Sequence, residues 1–176
     1  MKNNSLTNLI RLMGIYILLS TCLYAQKPDW SPFLPLVGSW VGEGGGKPGV
    51  ANGGFTYTFD LDKNILTRRN FAQYPAAEGR PASRHDDLLI IYPVQQSGFS
   101  AIYFDNEGHT IQYNVSFEKD SSTFVFTSTN SAGPKFRLTN KLLSPDYMKI
   151  VFEFSPGGAA PMQTYIEAEA RKTSLN

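Results

Sequence analysis

Only two histidines occur in the 176 residues, so the positions of both bear on chemistry. His85 is followed directly by Asp86 and Asp87. A carboxylate beside an imidazole fixes its tautomer and raises its basicity, which is what a general base requires. His109 follows an Asn106-Glu107-Gly108 turn and opens a strand-like segment. If the two segment ends lie at one rim, His85 and His109 face the same opening. The plainer reading makes both exposed strand-end residues with solvated acids beside them. That reading is preferred here, so His85, Asp86 and Asp87 are the catalytic alternative and no catalytic set is assigned. Two His and one carboxylate could supply three metal ligands. The sequence has no His-x-His or His-x-x-x-His spacing, and no metal site is expected.

Arg68 and Arg69 form the second group. Adjacent residues on a strand point to opposite faces, so one arginine faces in and the other out. Phe71 shares a face with Arg69 and Asn70 shares one with Arg68, and Arg69 is read as the inward residue. A buried arginine needs a partner, because an unpaired buried charge is very costly. The partner is either Asp60 or Glu153 across the sheet, or the carboxylate of a bound ligand, which the guanidinium fork suits. Tyr57, Tyr103, Tyr113 and Tyr165 lie on strand-like segments. A tyrosine offers an apolar body with a polar tip, which suits an amphipathic ligand. Together Tyr57, Arg69, His85, Tyr103, His109, Tyr113 and Tyr165 are the candidate ligand-binding residues. Gly42-Glu43-Gly44-Gly45-Gly46-Lys47-Pro48 has the wrong spacing for a phosphate loop and opens no helix.

These residues must be positioned by strands. Phe55, Tyr57, Phe59 and Leu61 alternate with polar residues, and an Asp62-Lys63-Asn64 turn leads to a partner over 65–74. Further strands are expected over 88–92, 99–104, 111–117, 123–128, 135–142, 148–154 and 162–172. Period 2 dominates, and turn residues recur every 8–12 residues, the pattern of a sandwich or barrel. Consecutive hairpins imply sequential neighbours, and closing the sheet removes its edges. Trp30 to Leu34 is expected to make one helical turn that plugs a barrel end. Residues 44–54 and 75–85 are the candidate mouth loops.

Residues 1–25 read as a secretory signal peptide. Lys2 and Arg11 are the only charges, 12–23 is a short apolar stretch, and Ala25 is a small residue at a cleavage point. The stretch is shorter than the roughly 20 residues of a spanning helix. An alternative exit is lipidation at Cys22, in Leu19-Ser20-Thr21-Cys22, and only that version ties the chain to a membrane. Cleavage near Ala25 removes two of the 16 cations, leaving 14 against 15 acids and a net charge of −1. That balance gives no electrostatic case for nucleic acid. Cys22 is the only cysteine, so residues 26–176 form one domain without disulfides or thiolate chemistry. The expected location is secreted or periplasmic.

Gly38-Ser39-Trp40 on the first strand resembles the Gly-x-Trp of lipocalins and other calycins. The resemblance implies that Trp40 closes one barrel end beneath an arginine of the last strand, here Arg171. The longer string Leu36-Val37-Gly38-Ser39-Trp40-Val41-Gly42-Glu43-Gly44 is similar to the opening of nitrobindin-like, haem-binding barrels of ten strands. Pro161 to Glu167 resembles their last strand. Those barrels hold haem iron through a histidine on that strand. Here Tyr165 falls at that place, and no histidine follows His109. The resemblance therefore implies an all-β, up-and-down barrel of about ten strands that binds a small apolar or amphipathic molecule. The alternatives are a haem protein through Tyr165, an enzyme through His85, and a barrel filled by Phe55, Phe59, Phe99, Phe126 and Phe152.

Overall fold

A computed structural model of the protein describes residues 27–43, 52–94 and 98–173. The expected signal segment, Cys22, and most of the first candidate mouth loop lie outside these residues. A 3-10 turn, Ser31–Leu36, precedes ten strands. They are β1 (Gly38–Gly42), β2 (Asn52–Asp60), β3 (Ile65–Tyr74), β4 (Ser83–Val94) and β5 (Gly98–Asp105). β6 (Thr110–Phe117), β7 (Thr123–Ser128), β8 (Lys135–Ser144), β9 (Tyr147–Ser155) and β10 (Gln163–Lys172) follow. Every strand pairs antiparallel with its neighbours in sequence, and β1 pairs with β10 to close the barrel. The expected fold class is met, including the helical turn before β1.

β4 starts at Ser83, five residues before the apolar run that reveals it in the sequence. Its polar start pairs with β3 as far as Ser83 opposite Tyr74, so backbone hydrogen bonds extend the strand beyond its hydrophobic signal. The second mouth loop shortens accordingly, and His85 sits on a strand rather than in a loop.

Ten strands enclose a wider lumen than the eight whose interior side chains just fill. One end is plugged. Phe33 and Leu36 of the 3-10 turn are fully buried. The Phe33 ring lies 4.8 Å from Phe99 and 5.6 Å from Phe124, and the Trp30 ring 5.5 Å from Phe59. The turn is tied to the barrel by hydrogen bonds as well as by rings. Trp30 Nε1 donates to the Lys63 carbonyl at 2.7 Å, and Trp40 Nε1 to the Leu36 carbonyl at 2.9 Å.

Trp40 is 1% exposed, as a closing tryptophan should be, but its cation is Lys172 rather than Arg171. Lys172 lies directly opposite Trp40 in the β1–β10 register. Its Nζ sits 5.2 Å from the Trp40 ring and donates to the Pro35 carbonyl at 2.9 Å. Arg171 points the other way, over the Tyr147 ring at 4.4 Å and against Glu43. A slip of one residue in register exchanges the two faces.

Candidate functional site

Antiparallel partners share a face, so the register identifies the inward residues strand by strand. Tyr57 lies opposite Arg68, Arg68 opposite Leu89, and Leu89 opposite Tyr103. One turn closer to the open end, Asn70 lies opposite Asp87, and Asp87 opposite Asp105. Arg68 is therefore the inward arginine, 7% exposed, and Arg69 is on the outer face. Phe71 suggests the opposite choice in the sequence, but it too faces outward and carries the Arg84 guanidinium at 4.9 Å.

The partner of Arg68 is neither Asp60 nor Glu153. Its Nη2 donates to Asp87 Oδ1 at 2.6 Å, with both side chains under a tenth exposed. Asn70 Nδ2 donates to the other oxygen, Oδ2, at 2.7 Å. Burial opposes the guanidinium charge, but the adjacent Asp87 carboxylate outweighs it, and the Arg68 pKa is raised. Glu153 instead pairs with Arg137, at 2.5 Å.

Tyr57 sits beside Arg68, and burial pushes its phenol pKa up. Asn140 of β8 donates from Nδ2 to the Tyr57 hydroxyl at 2.8 Å. β8 is separated from β2 by β9, β10 and β1 around the ring, so this bond spans the lumen. It lies above a fully buried apolar layer that includes Leu66, Ile91, Ala101, Phe124 and Met148. Tyr113 is buried on β6, and burial raises its pKa as well. Two polar atoms in this layer are buried without a hydrogen-bond partner among the described residues: Arg68 Nε and Asn140 Oδ1. Buried polar groups are nearly always paired, so such atoms call for an explanation.

Closer to the mouth a hydrogen-bonded chain follows the wall. Glu107 Oε1 is 3.0 Å from His85 Nδ1, and His85 Nε2 is 3.1 Å from the Tyr103 hydroxyl. Tyr103 donates to Asp105 Oδ2 at 3.2 Å, and His109 Nδ1 is 2.9 Å from the same oxygen. A carboxylate can only accept, so Nδ1 of each imidazole carries a proton toward its acid. His85 Nε2 is turned to the lumen, 3.5 Å from Asp87 Oδ2. Burial, Asp87 and Asp105 all raise the Tyr103 pKa, so its hydroxyl keeps its proton. Burial works to raise the Asp105 pKa too, but hydrogen bonds from His109 and Glu107 outweigh it, and the net shift is downward.

The two histidines thus do share one rim, linked through Tyr103 and Asp105. Asp87 shares the inner face with His85. Asp86 does not: it is on the outer face, in a two-nitrogen clasp from Arg84, whose hydrogen bonds lower its pKa. Tyr165 is not in the interior. It sits at a bulge in β10, 73% exposed, with its ring 6.3 Å from Phe152 at the rim.

The open half of the wall opposite the chain is apolar. Phe136 and Phe152 stack at 6.0 Å, and Ile111 and Ile150 are half-buried on the same inner face. Leu66, Ile91, Phe124 and Met148 nearer the plug are fully buried, whereas these four are partly exposed. On the outside, a groove of about 670 Å³ crosses β1 to β5 past Gly54, Arg69, Phe71, Arg84 and Leu88. Gly53 and Gly54 are among the residues that line it. A Cβ on Gly54 would come within 2.6 Å of the Trp40 carbonyl oxygen.

Asn140, Asn70, Asp105 and Glu107 are missed by the sequence reading. Asn140 had a signal: it breaks the inward series Phe136, Leu138 and Leu142 on β8. The acids had none, because a polar residue near a strand end is ordinary.

A haem would need an axial ligand. Both nitrogens of His85 are engaged, and His109, although its Nε2 is free among the described residues, is 63% exposed at the rim. Tyr165 is exposed outside the lumen, with its ring against Phe152. The residues present do not fit haem.

No family model and no curated relative matches the chain. Among solved structures it is similar to the crystal structure of Rv2717c from M. tuberculosis. The TM-score is 0.56 and the identity 13%, over 85% of this chain and all of that one. At that identity the likeness shows the fold, a closed antiparallel β-barrel, and nothing finer.

Proposed function

We propose that the open half of the barrel binds a small amphipathic molecule, head inward and tail toward the mouth. One observation carries the reading: the inward apolar residues Ile111, Phe136, Ile150 and Phe152 are only partly buried, next to the polar layer of Tyr57, Arg68 and Asn140. The half-buried Ile111, Phe136, Ile150 and Phe152 give the tail an apolar wall, as ligand cavities generally do. The sequence candidates Tyr57, Tyr103, Tyr113 and His85 belong to this site, with Arg68 in the place expected of Arg69. The protein acts after export, secreted or periplasmic, as its first 25 residues imply. N-terminal sequencing of the protein from its host would test that, with a start near Gln26 or a blocked Cys22 as the two exported outcomes.

Native mass spectrometry of protein purified from its own host, before and after denaturation, tests the binding reading. A released small molecule supports it. A clean unliganded mass, together with no uptake of any amphiphile offered, contradicts it.

A second reading is acid–base catalysis in the same lumen. His85 favours it, because Glu107 orients the ring and leaves Nε2 against Tyr103 and Asp87. Turnover with a pH–rate inflection in the histidine range, lost in His85→Gln, would establish it.

A further inference from the structure

We propose that the groove on the outer wall is a second binding site, for a small carboxylate with an apolar body, and that Arg69 binds the carboxylate. The site is separate from the lumen and does not depend on the lumen being occupied. Strand register sets its side chains in a row across the outer face. Ser39 lies opposite Thr56, Thr56 opposite Arg69, Arg69 opposite Leu88, and Leu88 opposite Phe104. Phe71 and Asp86 lie opposite one another in the next row toward the mouth. All of these residues line the groove, whose volume of about 670 Å³ is that of a small-molecule site.

Charge decides the head group. Five charged side chains belong to residues lining the groove, and four are already matched. Arg84 clasps Asp86 through two nitrogens, while Asp87 and Asp105 turn inward to Arg68 and His109. Arg69 alone has neither an ion pair nor a side-chain hydrogen bond among the described residues. An exposed arginine without a partner is ordinary by itself, but the neighbours of this one differ on its two sides. On one side the Ser39 and Thr56 hydroxyls are 3.0 Å apart. Only one proton is used between them, so the pair keeps an O–H to donate beside the guanidinium fork. On the other side stand Leu88 and the exposed ring of Phe104. Adjacent strands are roughly 4.8 Å apart, so Arg69 to Phe104 spans about 10 Å, the length of a medium-chain acid. One free cation matches one negative charge, and a dianion would set its second charge near Asp86. The lumen offers the opposite setting, because its arginine is already neutralised by Asp87.

The test uses two probes with one tail, sodium decanoate and decan-1-ol, titrated at low salt into protein with labelled leucine and isoleucine methyl groups. Decanoate is expected to shift the Leu88 methyls, with an affinity that falls about tenfold in Arg69→Gln. It should also weaken as salt is added, as an exposed ion pair does. Arg69→Lys keeps the charge but not the fork and should retain part of the affinity. Asp86→Asn releases Arg84 and should tighten decanoate severalfold. Decan-1-ol, the probe of the lumen, should leave Leu88 nearly still and be indifferent to Arg69→Gln. Arg69 is exposed, so Arg69→Gln should fold, which an unchanged urea midpoint checks. The groove site is overturned if decanoate does not bind, binds Arg69→Gln as well as the wild type, or moves Ile111 and Ile150 in place of Leu88. Decan-1-ol shifting Leu88 as strongly as decanoate would overturn the carboxylate preference. None of these results decides the lumen reading, which decan-1-ol tests at Ile111 and Ile150.

Discussion

The lumen has two halves built from the same ten alternating strands, and they differ in what closes them. Toward the 3-10 turn, Phe33, Leu36, Leu66, Ile91, Phe124 and Met148 are fully buried, and the Phe33 ring packs against that of Phe124. Toward the mouth, the inward residues Ile111, Phe136, Ile150 and Phe152 remain half-exposed, and a polar wall from Glu107 to His109 faces them. Between the halves lies a polar layer, in which Tyr57 and Asn140 join across the barrel and Arg68 is locked to Asp87. The contrast teaches that burial of apolar surface needs only one end. The other end is free to retain a polar wall and partly exposed rings.

The difference can be broken from either side. Phe33→Ala removes a fully buried ring from the plug and should cost about 3–5 kcal/mol, seen as a lowered urea midpoint. A loss under about 1 kcal/mol would mean that the plug is not a core. Arg68→Met should cost about 3 kcal/mol or more, because Asp87 is left buried without its cation. Adding Asp87→Asn to that variant should recover part of the loss, and a double-mutant cycle measures the coupling. Tyr57→Phe removes the acceptor of Asn140 Nδ2 and should cost about 1–3 kcal/mol. It should also weaken decanol binding, which Phe33→Ala, if folded, should not. Phe152→Ala trims a ring already open to the mouth, so its stability cost should be below about 2 kcal/mol, with a clear loss of tail binding. If instead it destabilises as much as Phe33→Ala, the two halves are equally core.

The smallest effect expected concerns acid. The Asp105 pKa is held below its ordinary value in the folded protein, burial being outweighed by its hydrogen bonds. A depressed carboxyl contributes stability above the unfolded pKa of about 3.9, and the contribution is lost as the pH falls through the folded value. Midpoints measured from pH 6 to pH 2 should therefore fall less steeply in Asp105→Asn than in the wild type.

The strand pattern was legible because period-2 alternation is strong wherever one face is apolar, as in Phe55, Tyr57 and Phe59. Register was harder where both adjacent residues have the same character. Arg68 and Arg69 are chemically identical neighbours, and Arg171 and Lys172 are both cations, so neither pair reveals its inward member. Only the partners across the sheet decide, Leu89 with Arg68 and Trp40 with Lys172. Tyr57, Tyr103, Tyr113 and His85 were found as candidates because their types are conspicuous. Asp105 and Glu107 escaped notice, since their role depends on a hairpin that brings them beside His85 and His109. Asn140 acts on Tyr57 from 83 positions away, a separation no local pattern encodes.

The most direct measurement is methyl NMR of the isoleucines and leucines during a decanol titration. The account expects Ile111 and Ile150 to shift first and most, with Ile91 and Leu66 below the polar layer nearly still. Shifts confined to Leu88 on the outer groove, or none at Ile111 and Ile150 while ligand binds, would contradict a ligand site in the open half of the lumen.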